Sequence, residues 1–319
     1  MLPLVHNQIR QPLSAPLLRG ADHFIGEEKP NQMDHRTDAL NYDQTGKISL
    51  DHVYNEPDPK AYFSTLRKLG YRVPEEAKPV FQRLLSAKRE ATGEDKAKLV
   101  DVGCSYGVNA ALLKHGMSLE DLYRLYGSDA PDDHGMMLTR DQGLFTGAVD
   151  DALSVVGVDA AERAIAYAVD AGVLDAGVAT NLEKRQPTST DVEAVENADM
   201  IISTGCVGYV TRTSLERLVE TSLENNVWMA NFVLRMFDYE PVEQMMAERG
   251  YVTEKLAGAV FPQRRFASEQ ERQRVLDNVS DRGISPDGLE STGWYFAELH
   301  VSRPANDGTR LPLETLLAA

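Results

Sequence analysis

The run Asp101-Val102-Gly103-Cys104-Ser105-Tyr106-Gly107 holds a carboxylate, two glycines and two small residues between them. Glycine and small residues are needed where a backbone turns sharply and must approach a ligand closely. A helix opening directly behind such a turn offers unpaired N–H groups and a partial positive charge, so that an anionic or polar group can sit there. The same composition also makes a plain tight turn, and the loop alone is a weak signal. A second carboxylate sharpens it. In Val155-Val156-Gly157-Val158-Asp159 an apolar run ends on an aspartate, and a carboxylate at the end of the neighbouring strand can accept both hydroxyls of a ribose. The usual separation between the two features is about 20 residues. Asp159 lies much further on, an excess attributed to the intervening segment 118–149.

Other reactive side chains are sparse. Cys104 and Cys206 are the only cysteines, which gives neither a disulfide framework nor a thiolate metal site. Both follow predicted strands. A reactive dithiol is conceivable, but small fillers that let backbone approach ligand are the preferred reading. His134, in Pro131-Asp132-Asp133-His134-Gly135, can serve as a base if its segment covers the site, and is otherwise a solvated loop histidine. Asp132 and Asp133 have no second ligand cluster and read as a charged loop rather than a metal site. Gln263-Arg264-Arg265 is the one short basic candidate, and a solvated loop is its plainer reading.

These groups must be positioned by regular elements. From about residue 98, short apolar runs alternate with helical segments, the signature of βα units and a mainly parallel sheet. Strands are predicted over 98–102, 152–158, 173–180, 200–204 and 227–234. Helices are predicted over 108–115, 161–171, 190–196, 213–223 and 241–249. The segments 251–261 and 294–301 suit a closing antiparallel pair. Segments 118–149 and 263–293 break the alternation, and loops of that length are usually lids, binding elements or small helical insertions. Before the sheet, prolines punctuate short helical stretches over 60–69 and 80–91, while residues 1–40 lack periodicity and read as an arm ordered only by docking. The division expected is an arm and helical layer over 1–97, an α/β domain over 98–304 and a tail over 305–319.

The chain has 319 residues, 42% of them hydrophobic and 26% charged, as in an ordinary globule. A net charge of −16 opposes a polyanion, so nucleic acid is not expected as a partner. No run approaches the roughly 18 apolar residues of a membrane span. The N-terminal residues lack the pattern of a secretory signal, and a cytoplasmic protein is expected.

On 100–107, the strand ending at Asp159 and Ala198-Asp199-Met200-Ile201-Ile202-Ser203-Thr204-Gly205, the chain resembles the class I S-adenosylmethionine-dependent methyltransferases over roughly residues 98–301. The resemblance implies a Rossmann-like, seven-stranded, mainly parallel sheet flanked by helices, with an antiparallel last strand, here under an N-terminal helical lid. Nicotinamide enzymes normally show three glycines at the turn, whereas Ser105 occupies the middle position here. By the same resemblance Gly103 and Gly107 let the backbone pass the methionine portion of the cofactor, Asp101 organises that loop or meets the ammonium group, and Asp159 holds the ribose. Asn181 meets the adenine amino group, with Glu183 as its rival, and Cys104, Ser105, Ala160 and Leu182 are the further cofactor-binding residues. Thr204 and Gly205 lie between methionine and acceptor. Tyr106, Tyr209 and His134 are the candidates for catalysis, the tyrosines because ring faces attract a sulfonium. Tyr42, Tyr54 and Tyr62 reach over from the N-terminal layer if they do more than pack. The implied activity is methyl transfer to a small-molecule acceptor, with no metal and no membrane, and with a homodimer left open. Aminocarboxypropyl transfer, intramolecular cyclisation releasing methylthioadenosine, and cofactor binding without catalysis are the alternatives.

Overall fold

The computed structural model describes residues 51–147 and 149–318. Tyr42 and the arm before it lie outside the described residues. Three helices come first, α1 (Asp51–Tyr54), α2 (Lys60–Lys68) and α3 (Val73–Thr92). Then β1 (Ala97–Val102), α4 (Val108–Leu113), α5 (Leu119–Leu125) and α6 (His134–Leu144) lead to β2 (Leu153–Val158) and α7 (Glu162–Asp170). The alternation continues through β3 (Ala176–Val178), α8 (Ser189–Val195), β4 (Met200–Thr204), α9 (Arg212–Val219), β5 (Trp228–Leu234) and α10 (Glu240–Ala247). The chain closes with β6 (Tyr251–Lys255), β7 (Phe261–Arg265), α11 (Glu269–Asp281), β8 (Trp294–Pro304), α12 (Ala305–Arg310) and α13 (Leu313–Ala318).

The sheet runs β3-β2-β1-β4-β5-β8-β6, parallel through β5, with β8 antiparallel to both β5 and β6. This is the Rossmann-like, mainly parallel sheet expected, with an antiparallel strand let into the far edge. Alternate residues of the central strands face two cores. Leu99, Val155, Met200 and Phe232 pack beneath the N-terminal helices, while Val100, Val156, Ile201 and Met229 meet the residues of α9 and α10 on the other face. Burial on both faces is why these strands read as continuous apolar runs.

Three expectations change. The segment 251–261 is not one strand: β6 pairs with the C-terminal half of β8, β7 with its N-terminal half, and residues 256–260 interrupt them. Consequently 263–293 begins as a sheet strand rather than a loop. The third strand is confined to Ala176–Val178, because Val173 and Leu174 turn inward to pack beside Gly107. The helix expected from Val80 starts at Val73 and runs through Pro79. A helix proline costs about 3 kcal/mol. Val73, Ala77, Val80, Phe81 and Leu84 are all fully buried on this helix, and each large side chain contributes about 1.5–3 kcal/mol, so packing wins. With α3 against α4, β4, β5 and β7, the N-terminal layer shares the main core. Among the described residues no helix is long and apolar enough to cross a membrane.

Candidate functional site

In an open α/β sheet the binding crevice forms outside the carboxyl ends of the strands, where the strand order reverses. Here that point lies between β1, which leads outward to β2, and β4, which leads the other way. Asp101 is paired in register with Gly157 on one side and Ile202 on the other, so the loop that follows it opens at this crevice. Gly103, Ser105 and Gly107 all adopt positive φ. For Gly103 the requirement is also spatial: a Cβ there would stand 2.6 Å from the Cβ of Cys206. The helix behind the loop, α4, has only six residues, too few to develop the dipole invoked from the sequence.

Asp101 is 0% exposed. Its Oδ1 accepts a hydrogen bond from Asn109 Nδ2 at 2.9 Å, and the same amide donates to Thr204 Oγ1 at 3.2 Å. Asp101 Oδ2 is buried with no partner. Burial pushes the Asp101 carboxyl up to about 7, against the Asn109 hydrogen bond, with the nearby Asp159 adding to the rise. From above, the Tyr62 hydroxyl lies against Ser105 and the Tyr71 hydroxyl against Thr204.

Asp159 is differently placed. Its Oδ2 accepts from Ser105 N and its Oδ1 from Ala161 N, both at 2.9 Å. Burial raises this carboxyl too, and the backbone N–H groups of Ala161, Ser105 and Ala160 oppose the rise. The carboxylate therefore ties the glycine loop to the entrance of α7. Each oxygen keeps a further lone pair for a ligand hydroxyl. Asn55 Oδ1 accepts from Arg163 N at 2.8 Å, bringing the N-terminal layer to the same entrance.

The remaining candidates scatter. Asn181 Oδ1 accepts from Glu183 N and Lys184 N at 3.1 and 3.2 Å, an Asx turn that occupies the acceptor an adenine amino group would need. Leu182 is buried and Ala160 exposed. Glu183 turns away from the crevice and accepts from Thr211 and Ser214 at the start of α9; burial raises its carboxyl, but these hydrogen bonds more than offset that and leave it low. Tyr106 donates its hydroxyl to Glu56 O at 2.8 Å, so that hydroxyl serves the N-terminal layer. Its ring lies 5.4 Å from that of Tyr62, which in turn meets Tyr54. Tyr209 is 40% exposed beside Phe237. His134 is exposed at the start of α6, with its ring against Tyr167. Burial pushes Cys206 up to about 12 and Cys104 well above its ordinary value, so neither is a ready thiolate.

Two groups at the crevice are absent from the sequence-based candidates. Asn109 had a faint signal, being the one polar residue in Val108–Leu113. Gln263 had none. Its segment is neither a basic patch nor a solvated loop: Gln263 and Arg264 are buried on β7, Arg264 is held bidentately by Glu271 at 2.8 and 3.1 Å, and Arg265 lies over the Trp294 ring.

No protein-family profile and no curated protein matches the chain. Among solved structures it is similar to the plantazolicin methyltransferase BpumL in complex with SAH, at 11% identity and a TM-score of 0.40, over 79% of this chain and 93% of that one. A magnesium protoporphyrin IX methyltransferase from Synechocystis PCC 6803 with bound SAM is similar at 8% identity and a TM-score of 0.36, over 76% and 84%. A SAM-dependent methyltransferase from Aquifex aeolicus is similar at 13% identity and a TM-score of 0.37, over 76% and 98%. With every one of these TM-scores below 0.5, the fold assignment rests on the strand order and the crevice themselves.

Proposed function

We propose that the chain is an S-adenosylmethionine-dependent methyltransferase acting on a small-molecule acceptor. The observation that carries this reading is Asp101 Oδ2, a buried carboxylate oxygen without a partner at the switch point of the sheet. An unsatisfied buried polar atom is costly, more so when charged. The ammonium group on the methionine end of this cofactor would relieve it, and Asp159, at the end of the adjacent strand, would accept the ribose hydroxyls.

In this reading Gly103, Cys104, Ser105 and Gly107 shape the backbone past the methionine portion. Ala160, Asn181 and Leu182 border the adenine, and Thr204 and Gly205 separate methionine from acceptor. S-adenosylmethionine, when bound, supplies a methyl carbon activated by its sulfonium. The chain's own residues orient and exclude water: Asn109 holds Asp101 and Thr204 in place, and Tyr54, Tyr62 and Tyr106 form a ring cluster over the loop. Alignment and dryness are the main requirements of an in-line displacement at an activated carbon. The net charge of −16 favours a neutral or cationic acceptor.

The test is calorimetric titration with S-adenosylmethionine, followed by mass spectrometry of products over a panel of acceptors. Adenosylhomocysteine formed with an acceptor supports methyl transfer. Methylthioadenosine formed enzymatically without one points to attack at another carbon of the same cofactor and sinks the methyltransferase reading. Asp159→Ala is expected to abolish cofactor binding and, since Ser105 N and Ala161 N lose their acceptor, to cost about 1–3 kcal/mol of stability. Unchanged affinity in the folded variant would remove the cofactor assignment.

A further inference from the structure

Gln263 enters the crevice from a strand that the mainly parallel sheet does not require. It sits on β7, downstream of the break at 256–260, and its backbone carbonyl accepts from Arg72 N at 2.8 Å, which fastens β7 to the N-terminal layer. The residue is 4% exposed, and its side chain reaches over the residue that follows β4. A Cβ on Gly205 would stand 2.2 Å from Gln263 Nε2, so the absence of a side chain at Gly205 makes the room for this carboxamide. Gln263 Oε1 is buried with no partner. One residue back along the chain, Thr204 shares the Asn109 amide with Asp101, whose Oδ2 is unpartnered as well.

A primary amide offers a donor and an acceptor side by side, whichever way round it lies. Left unpaired in a buried position it costs free energy. The group that satisfies both of its ends is an amino-acid head, which carries an ammonium and a carboxylate on one carbon. We propose that Gln263 is a ligand-binding residue for the aminocarboxypropyl end of the cofactor, accepting from its ammonium or donating to its carboxylate across from Asp101. This inference rests on the cofactor reading above and assigns to the broken edge strand a part in holding the cofactor.

The experiment compares two probes that share the adenosine and the sulfur but differ in this end. S-adenosylhomocysteine carries the amino-acid head; methylthioadenosine lacks it. Both are titrated calorimetrically into the full chain, into Gln263→Leu and into Gln263→Met, the second variant keeping side-chain length. Adenosylhomocysteine is expected to bind about tenfold more weakly to both variants, the loss of one hydrogen bond to a charged group, with methylthioadenosine affinity within about twofold of the wild type. Retained methylthioadenosine binding also certifies that the variants are folded. Unchanged adenosylhomocysteine affinity, or equal loss of both probes, overturns the inference, because Gln263 would then be a packing residue. A wild-type chain that binds neither probe overturns the cofactor reading instead.

Discussion

The two segments that interrupt the βα alternation are fixed to the molecule by different chemistry and end in different places. Segment 118–149 forms α5 and α6 and stays on the outer flank. Its anchor is Asp141, fully buried, whose Oδ2 accepts the hydroxyls of Tyr126 and Tyr167 at 2.8 and 2.6 Å while Arg140 grips Oδ1. Lys60 pairs with Asp132 at its edge. Segment 263–293 instead begins inside the sheet as β7, carries Gln263 to the crevice, and is locked by the buried pairs Arg264–Glu271 and Arg235–Glu290. An insertion that hydrogen-bonds to the sheet inherits the sheet's rigidity and can present a side chain with accuracy. One that docks mainly through side chains covers a flank, as His134 illustrates, exposed and linked to the loop through the rings of Tyr167 and Tyr106.

The contrast can be broken experimentally. The largest effect is expected from Glu271→Ala, which leaves the Arg264 guanidinium buried and unpaired: about 3–5 kcal/mol of stability lost, read by chemical denaturation, together with weakened adenosylhomocysteine binding because β7 carries Gln263. Loss of stability without loss of binding would detach β7 from the site. Asp141→Ala strands two tyrosine hydroxyls and is expected to cost about 1–3 kcal/mol while leaving adenosylhomocysteine affinity within about threefold. A larger binding defect in a folded variant would show that the flank segment also shapes the crevice.

The smallest and most specific effect concerns pH. The Asp101 carboxyl is raised from 3.8 to about 7, so the ligand-free fold binds its proton more tightly than the unfolded chain does. The sign follows: this group's contribution makes the ligand-free fold less stable as pH rises from about 4 to 7. An ammonium-bearing ligand needs the ionised form. Its affinity is therefore expected to fall by up to about tenfold per pH unit below 7, whereas methylthioadenosine shows no such slope. In Asp101→Asn the slope disappears; a slope that survives would assign the titration to another group.

The parallel strands, the glycine turn and the carboxylate of Asp159 were legible in the sequence because each is a local property. A doubly buried strand is a continuous apolar run, and a backbone at positive φ selects glycine at Gly103 and Gly107. The second and fourth strands were recognised within a residue of their bounds for that reason. Pro79 misled, since local propensity yields to the burial of a whole helix face.

What only the tertiary structure decided is the company each group keeps. Asn181 and Glu183 stand where an adenine contact is expected, yet their acceptors are taken by backbone N–H groups and by α9. Asn109 reaches Thr204 across ninety-five positions, and Gln263 meets Gly205 only because β7 rejoins the edge of β8. Apolar periodicity reports which face of an element is buried, but it carries no information about which polar atom will face which across a closed crevice. That pairing is set by strand order and register, and those in turn leave Asp101 Oδ2 and Gln263 Oε1 buried without partners, the two atoms on which the proposed cofactor contacts rest.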